Sequence, residues 1–405
     1  MLERADPLRL DPIPGWDDPG PLDTATWRAR FEHDEPYRVG IEDEVFLHDE
    51  ATGDLATLPR ELRSSLEQQE RFASEFPAGQ LEVISSPCST VSEAMRQIAR
   101  GRAALGDALC GVARPLAAGT HPGARFPMEI TPGRRYTTIA NEFAWAAGRG
   151  LVSGMHVHVS VPGADRAIAL HDALRTYLPL LTALGANGPY LEGLDTGLAT
   201  VRPKLCEGLP RQGIPPAFGS FDRMVDFVAW GSASGAFPDA SQLWWEVRLH
   251  ARFGTLELRV PDTQTSIEDA EAVASVAHAL VVRLAERYDS GEALPVHEQP
   301  RLEENRWRAL RHGVHGYTAD AGDGAPEPVR DRIARLLDEL TPTAHRIGCL
   351  TGLARARSLL AGNGSDRQCD VAARDGVDGL VEWLLEETLR GTRAQAPARD
   401  EVTRS

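Results

Sequence analysis

The chain has 405 residues, of which 42% are hydrophobic and 25% are charged, and its formal net charge at pH 7 is −16. This composition is typical of a globular chain with a substantial core, and the acidic total argues against general binding to nucleic acid or to an anionic membrane. An anionic substrate is not excluded, because a metal ion or an arginine cluster can reverse the local charge inside a cleft.

Single residue types narrow the possibilities further. The five cysteines are scattered and form no Cys-x-x-Cys pair, which argues against structural zinc or a disulfide framework and favours a reducing cytoplasm. Lys204 is the only lysine, so a clamp for phosphate or carboxylate must use arginine. The sequence contains no Gly-x-x-x-x-Gly-Lys-Ser/Thr phosphate loop, no recognisable signal peptide, and no apolar run near the roughly 20 residues of a membrane span.

The N-terminal residues 1–36 are predicted to form an irregular arm with a short helix near residues 23–31. The first predicted strand covers residues 37–47. Its apolar face is formed by Val39, Ile41, Val45 and Leu47. Glu42 and Glu44 lie on the opposite face, roughly 7 Å apart, where they can serve the same or adjacent cations. Taken alone, the pair is explained equally well by a solvated strand face, and Asp43 interrupts the apolar face for no reason visible in the sequence.

A second predicted strand, at residues 154–161, reads Gly-Met-His-Val-His-Val-Ser-Val. Strand geometry places Met155 and the three valines on one face and His156, His158 and Ser160 on the other. An apolar face opposite two imidazoles indicates a strand of a metal-binding sheet.

The remaining elements are predicted in chain order as follows. Helices are predicted at residues 61–71, at 90–118 with Thr90 and Glu93 as a capping box, and at 166–186. A turn is predicted at 77–79, and a strand that carries Glu82 follows it. Residues 134–136 are predicted to form a polar loop, and residues 188–220 are predicted to form a loop-rich segment that binds a ligand or acts as a lid. Residues 243–260 are predicted to form a hairpin that turns at 251–254, and Ser266 and Asp269 are predicted to cap a helix that runs to about residue 288. Residues 302–390 are predicted to be helical, with breaks at 312–328, 341–342 and 362–375. Residues 396–405 are predicted to form a polar tail.

Four predicted strands place acids or imidazoles opposite an apolar face. The polar side chains collected in this way are Glu42, Glu44, Glu75, Glu82, His156, His158, Arg248, Glu257 and Arg259. Buried carboxylates at this density must be protonated or neutralised by cations. Oxygen-rich ligation with an imidazole favours Mg²⁺ or Mn²⁺ over zinc, and arginines beside such a site are what phosphoryl transfer requires.

Several motifs together carry a family resemblance. They are Val-Gly-Ile-Glu-Asp-Glu at 39–44, Gly-Gln-Leu-Glu at 79–82, Gly-Met-His-Val-His-Val at 154–159, Asp-Thr-Gly at 195–197, Arg-Phe-Gly-Thr-Leu-Glu-Leu-Arg-Val at 252–260 and Gly-Asn-Gly-Ser-Asp-Arg-Gln at 362–368. In this order the chain resembles the type 2 glutamate–cysteine ligase, or carboxylate–amine ligase, family of the glutamine-synthetase-like superfamily. The likeness runs from about residue 37 to residue 390.

The resemblance implies an α+β fold with one glutamine-synthetase-like catalytic domain at residues 37–395. A curved antiparallel sheet would hold two or three Mg²⁺ or Mn²⁺ ions and ATP on its concave face, with helices on the other face and a helical C-terminal region. The implied metal ligands are Glu42, Glu44, Glu75, Glu82, His156 and Glu257. His158 would lie near the nucleotide phosphates and Arg259 near the transferred phosphate, and Arg248 is a further catalytic candidate. By charge and placement, Arg202, Arg211 and Arg248 are candidates to bind the substrate carboxylate or phosphate.

The implied activity is ATP-dependent ligation through γ-glutamyl phosphate, with glutamate or a similar acid and an amine such as cysteine as substrates, in a cytoplasmic protein that self-associates. Residues 185–189 read Gly-Ala-Asn-Gly-Pro where the family often has a serine-rich segment, which leaves the amine open. One alternative is a metal-dependent hydrolase or oxygenase of the cupin type, although such enzymes usually place a glutamate a few residues beyond the second histidine. The other alternative is a ligand-binding protein without catalysis on the same scaffold.

Overall fold

The computed structural model describes residues 24–34 and 36–392, and the predicted tail at 396–405 and most of the N-terminal arm lie outside the described residues. The strands are β1 (Val39–His48), β2 (Phe72–Ser74), β3 (Gln80–Ile84), β4 (Arg114–Leu116), β5 (Met155–Ser160), β6 (Tyr190–Leu191), β7 (Leu194–Asp195), β8 (Val247–His250), β9 (Thr255–Leu258), β10 (Tyr317–Ala319) and β11 (Pro326–Pro328). The main sheet has the order β2-β3-β1-β5-β9-β8, with β4 also paired to β1, and all of these pairings are antiparallel.

Helices surround this sheet. They are α1 (Thr24–Arg30), α2 (Arg60–Glu67), α3 (Val91–Ala108), α4 (Arg134–Ala147), α5 (Ala164–Leu174), α6 (Leu178–Leu184), α7 (Arg202–Cys206), α8 (Phe221–Ser234), α9 (Ile267–Asp289), α10 (Gln299–His312), α11 (Val329–Arg346), α12 (Leu350–Leu359) and α13 (Gly364–Leu389). The fold is therefore a mixed α/β fold built on an antiparallel sheet.

The apolar face of the sheet forms the core with α3, α5 and α9. Val45, Leu81, Val157 and Leu256 come from four different strands, and each is fully buried. Helix α9 contacts α3, α5 and β5, and its buried residues are mostly alanine and valine, which allow close approach to the sheet. This packing leaves the opposite face, with its glutamates and histidines, directed away from the core.

Asp43, the acid on the apolar face of β1, has a buried partner. Arg102 on α3 donates to both of its carboxylate oxygens, at 2.7 and 3.0 Å, and neither side chain is exposed to solvent. The same guanidinium donates to the carbonyls of Gln264 and Thr265, each at 2.8 Å. A bidentate ion pair with further hydrogen bonds can offset the cost of removing both charges from water.

Most predicted elements are present, including the 243–260 hairpin and the Ser266 cap, whose hydroxyl accepts from the backbone N–H of Asp269. The short helix near residues 23–31 is α1, and Trp27 within it is fully buried. The predicted helix 90–118 is too long. It ends at Ala108, because Gly111 adopts a φ of 76° and the chain then turns into β4 beside β1.

Other predicted boundaries were also wrong. The segment 362–375, predicted as a break, contains the beginning of α13 at Gly364, because Asn363 and Asp366 form a capping box there. The single helix predicted at 166–186 is two helices, α5 and α6, since Pro179 has no backbone N–H to donate and is accommodated in the first turn of α6. The polar loop at 134–136 is the beginning of α4. Pro342, predicted as a break, lies inside α11, where a proline removes one hydrogen bond without ending the helix.

Candidate active site

The register of the sheet brings the predicted acids and imidazoles together. Glu42 on β1 is opposite His156 on β5, and Glu44 is opposite Glu82 on β3. On the other side of β5, His158 is opposite Glu257 on β9. We call the group of Glu42, Glu44, Glu75, Glu82, His156, His158 and Glu257 the acidic cluster. Because the strands are adjacent and in register, residues far apart in sequence share one patch of the polar face.

Glu42 connects the two histidines of the acidic cluster. One of its carboxylate oxygens lies 3.1 Å from Nδ1 of His156 and the other lies 3.2 Å from Nε2 of His158. Burial would raise the pKa of Glu42, but His158 and then His156 outweigh burial and hold it well below its ordinary value. Burial, followed by the charge of Arg259, lowers the pKa of His156 to about 4, so this imidazole is neutral near pH 7 and can act as a ligand.

The carboxylates on the β2–β3 side of the cluster crowd one another. Glu44 and Glu82 are 8% and 2% exposed. Burial, followed by the charge of Glu75, raises the pKa of Glu44 to about 8. Burial, and then the charge of Glu42, raises the pKa of Glu82 well above its ordinary value. Without a cation these groups therefore retain protons at pH values where an exposed glutamate is ionised.

Two arginines hold Glu257 in the ionised form. Nε of Arg248 donates to its Oε2 at 2.7 Å, and the guanidinium of Arg259 forms a short contact with Oε1. Burial would raise the pKa of Glu257, but Arg248 and then Arg259 outweigh burial and lower it well below its ordinary value. The pKa of Glu44 is raised by burial, whereas that of Glu257 is lowered because both arginines lie at the β8–β9 side of the patch.

The acidic cluster has the donor set and spacing of a site for divalent cations. Three groups each have ligand atoms within 4.8 Å of one another: Glu42, His158 and Glu257; Glu42, Glu82 and His156; and Glu44, Glu75 and Glu82. Oε2 of Glu82 and Nε2 of His156 are buried without a hydrogen-bond partner among the described residues. Unsatisfied buried acceptors are costly, and coordination by a cation would satisfy them. The residues therefore fit Mg²⁺ or Mn²⁺, with carboxylate oxygens as the main ligands.

The larger of two cavities beside the cluster has a volume of about 740 Å³. Its lining includes Glu42, Glu82, His156 and His158 of the cluster and Arg248, His250 and Phe253 from the β8–β9 hairpin. Residues at the end of α1 and just after it also line the cavity. Its size lies within the range of sites that hold drug-sized ligands.

The smaller cavity, of about 180 Å³, lies on the Glu44 side of the cluster. Apolar residues of its lining include Ile139, Leu205 and Leu209, and cationic ones include Arg202 and Arg306. Six residues line both cavities: Glu44, Glu75, Arg135, His156, Trp244 and Arg259. We call these six residues the shared wall.

The remaining predicted arginines occupy different positions. Arg202 lines the smaller cavity, and its guanidinium donates to the carbonyls of Arg259 at 2.9 Å and Val260 at 3.2 Å. A Cβ on Gly154 would lie 2.1 Å from this guanidinium, which explains the glycine before β5. Arg211 donates to the carbonyl of Gln242 and its guanidinium lies 5.7 Å from the ring of Trp244; it lines neither cavity within the described part of the chain.

Sequence reasoning did not single out several residues of the site. Arg135 and Trp244 belong to the shared wall, and Arg306 lines the smaller cavity, where it is paired with Glu246 at 2.7 Å. Arg135 and Arg306 lie outside the predicted strands, so no periodic signal pointed to them. Trp244 falls within the hairpin predicted at 243–260, but it precedes β8 and was not selected because it is neither acidic nor basic. The cluster of basic residues at 134–136 was the one available cue for Arg135.

Among the helices of the described residues, none has both the length and the apolar character of a membrane span.

A family model described as glutamate-cysteine ligase family 2 matches residues 38–393. A Rubrobacter xylanophilus protein with the provisional name glutamate–cysteine ligase 2-1 is 36% identical, with 87% of this chain and 95% of that protein aligned. A Frankia casuarinae protein with the same provisional name is 35% identical, at the same coverages.

Two solved structures are similar in fold. The glutamate–cysteine ligase of Francisella tularensis, solved in complex with AMP, has a TM-score of 0.69 at 13% identity, covering 91% of this chain and 90% of that one. A bifunctional glutathione synthetase from Pasteurella multocida has a TM-score of 0.67 at 15% identity, covering 88% of this chain and 53% of that one. At these identities the likeness concerns the fold.

Proposed function

The chain belongs to glutamate–cysteine ligase family 2 and is a ligase, and we propose that it joins the γ-carboxyl of glutamate, or of a similar acid, to an amine at the expense of ATP. The nucleotide occupies the larger cavity with its phosphates on the acidic cluster. The acid occupies the smaller cavity with its reacting carboxylate at the shared wall. The amine is cysteine or another small amine.

The observation that carries this proposal is the position of the acidic cluster between two cavities of unequal size. Glu44, His156 and Arg259 face both cavities, so a group transferred from one ligand to the other passes these side chains. The cavity of about 740 Å³ has the size of a site for a nucleotide-sized ligand, and the cavity of about 180 Å³ admits a smaller one, such as an amino acid. Phosphoryl transfer needs the two reacting groups in direct contact, and charged side chains that line both cavities can hold the two ligands together where the cavities adjoin.

The proposed reaction has two steps. A carboxylate oxygen attacks the γ-phosphorus of ATP, the bond to the β,γ-bridging oxygen breaks, and ADP leaves with that electron pair. The amine nitrogen then attacks the acyl carbon of the acyl phosphate, an amide forms, and inorganic phosphate leaves while the nitrogen loses a proton to a base. No enzyme nucleophile is needed, in agreement with the scattered cysteines. When bound, Mg²⁺ or Mn²⁺ offsets the charge on the phosphate oxygens.

The side chains of the chain have distinct roles in this scheme. Glu42, Glu44, Glu75, Glu82, His156 and Glu257 hold the cations. Glu257 also orients Arg248 and Arg259, whose remaining N–H groups offset charge that develops on the transferred phosphoryl group. Burial lowers the pKa of His158, but Glu42 and then Glu257 outweigh burial and raise it, so a protonated His158 can donate to a phosphate oxygen. Arg202 holds the backbone of Arg259 in place, beside the smaller cavity.

The experiment is an assay of ADP release with Mg²⁺, ATP and glutamate, with and without cysteine and a panel of other amines. We expect sustained ADP formation only when both an acid and an amine are present, with one amide formed per ADP by mass spectrometry. Added hydroxylamine should trap the acyl phosphate as a hydroxamate. Amide formation without nucleotide, or ADP formation that no acid and amine pair stimulates, would refute the ligase scheme.

A further inference from the structure

The segment that includes α1 lines the larger cavity, although it precedes the part of the chain that matches the family. The family match begins at residue 38, whereas Ala29, Arg30, Glu32 and His33 contribute to the cavity lining. None of the described residues before 38 lines the smaller cavity. The segment therefore adds a surface to one cavity only, and that surface is not part of the family's common core.

This segment is firmly attached to the body of the protein. Trp27 and Phe31 are fully buried, and the ring of Phe31 packs edge to face against Phe221 at a centroid distance of 5.5 Å. Arg28, on the same helix, forms an ion pair of 2.9 Å with Asp222. Burial of two aromatic rings holds the segment in a defined position, so that it can act as a wall of the cavity.

The segment reaches the acidic cluster through the β8–β9 turn. Nε2 of His33 lies 3.3 Å from the carbonyl oxygen of Gly254, and a Cβ at that glycine would lie 2.1 Å from the Arg30 carbonyl oxygen. The adjacent Phe253 is 51% exposed, and its ring centroid lies 6.0 Å from that of His158. Phe253 and Arg30 line the same cavity as the acidic cluster, so a nucleotide with its phosphates on the cluster has both residues within that cavity.

We propose that residues 24–34 form the nucleoside-binding wall of the larger cavity, with Arg30 in contact with the base or ribose; this rests on the proposed use of ATP. Arg30 is exposed and forms no ion pair with the residues described at 24–34 and 36–392. Its planar guanidinium can stack on a base or donate hydrogen bonds to base and ribose oxygens. Phe253 offers an apolar ring beside it for the same purine.

The test compares two ligands that share a triphosphate and differ in the nucleoside. Binding of MgATP and of magnesium tripolyphosphate is measured by calorimetry for the full chain, its Arg30→Ala variant and an Arg100→Ala control. Arg100 is exposed on α3 and lines neither cavity. We expect Arg30→Ala to raise the Kd for MgATP about tenfold and to leave tripolyphosphate binding unchanged. The control should bind both ligands as the unaltered protein does.

Each other outcome overturns the inference in a recognisable way. An unchanged Kd for MgATP in Arg30→Ala, with ATP still bound by the unaltered protein, refutes the nucleoside wall and leaves the ligase scheme intact. An equal loss for both ligands assigns Arg30 to the phosphates instead. If the unaltered protein bound tripolyphosphate and no ATP, both this inference and the ATP-dependent scheme would fail. Circular dichroism of each variant checks that the fold is retained.

Discussion

Cation binding at the acidic cluster should tighten as the pH rises, and Glu44 should account for a defined part of that dependence. Its pKa in the cation-free protein is about 8, because it is buried and lies close to Glu75. A cation coordinated by Glu44 must displace the proton, so below this pKa the association constant changes about tenfold per pH unit for this one group. Between about pH 6 and pH 8 the ionised fraction of Glu44 rises from about 1% to about 50%, so the gain from Glu44 alone is about 50-fold.

The perturbation that isolates this contribution is Glu44→Gln, since the amide keeps the shape of the side chain and has no proton to release. Mn²⁺ is titrated calorimetrically into cation-free protein at several pH values, and the logarithm of the association constant is plotted against pH. Protons released by Glu75 and Glu82, whose pKa values are also raised, principally by burial, remain in the variant. We therefore expect the slope to fall by about one unit relative to the unaltered protein.

The matched control is Glu61→Gln, because Glu61 is exposed on α2 and lines neither cavity. It should give the same slope as the unaltered protein. Equal slopes for Glu44→Gln and the unaltered protein, or an affinity that does not change between about pH 6 and pH 8, would refute the reasoning. The stability of the cation-free protein tests the same pKa independently. Between the ordinary pKa of a glutamate and the raised pKa of Glu44, the folded protein retains the Glu44 proton and the unfolded chain has lost it. The free energy of unfolding without cation should therefore fall as the pH rises from 4.5 to about 8.

Two further predictions concern buried ion pairs. Glu257→Gln should lower kcat/KM by about 100-fold or more, since it weakens cation binding and releases the two arginines. If the variant keeps a kcat/KM within about twofold of that of the unaltered protein, with an unchanged circular dichroism spectrum, Glu257 is not part of the site. Asp43→Ala should lower the free energy of unfolding by about 3–5 kcal/mol, because Arg102 loses its buried counter-ion. In urea denaturation, the double variant Asp43→Leu with Arg102→Met should regain most of the free energy of unfolding that Asp43→Ala loses. A loss under about 1 kcal/mol in Asp43→Ala would show that Asp43 is not the buried counter-ion of Arg102.

The strands that carry the acidic cluster were predictable because strand alternation is a local property of the sequence. In β5 every second residue is apolar, and in β1 the same pattern holds except at Asp43, so the glutamates and histidines between the apolar residues face the other way. Their convergence on one patch followed from the family resemblance, and the antiparallel register brings it about in the structure. A shift of one residue in β1 would direct Glu42 and Glu44 into the core, which the buried valines prevent.

Features that depend on contacts distant in sequence could not be predicted in this way. The partner of Asp43 is on α3, 59 residues away, and nothing in the spacing indicates it. Arg135 and Trp244 reach the shared wall from outside the alternating strands, where side-chain direction depends on tertiary packing. The end of α3 was missed for a related reason: apolar residues continue beyond Ala108, but Pro115 and Leu116 are buried in β4 beside β1 and not in the helix.

The shared wall has a consequence for inhibitor chemistry. Glu44 and His156 are among its six side chains that line both cavities, so the two cavities adjoin there. With the acid in the smaller cavity and the nucleotide in the larger one, as we propose, one compound that carries an amino-acid head and a nucleotide tail, joined by a stable phosphonate, would occupy both cavities simultaneously. Tethering converts the second contact into an intramolecular event with a high effective concentration, so such a hybrid should exceed either fragment in potency. Enzymes that bind ATP without an adjoining amino-acid compartment would hold only its tail, which gives selectivity.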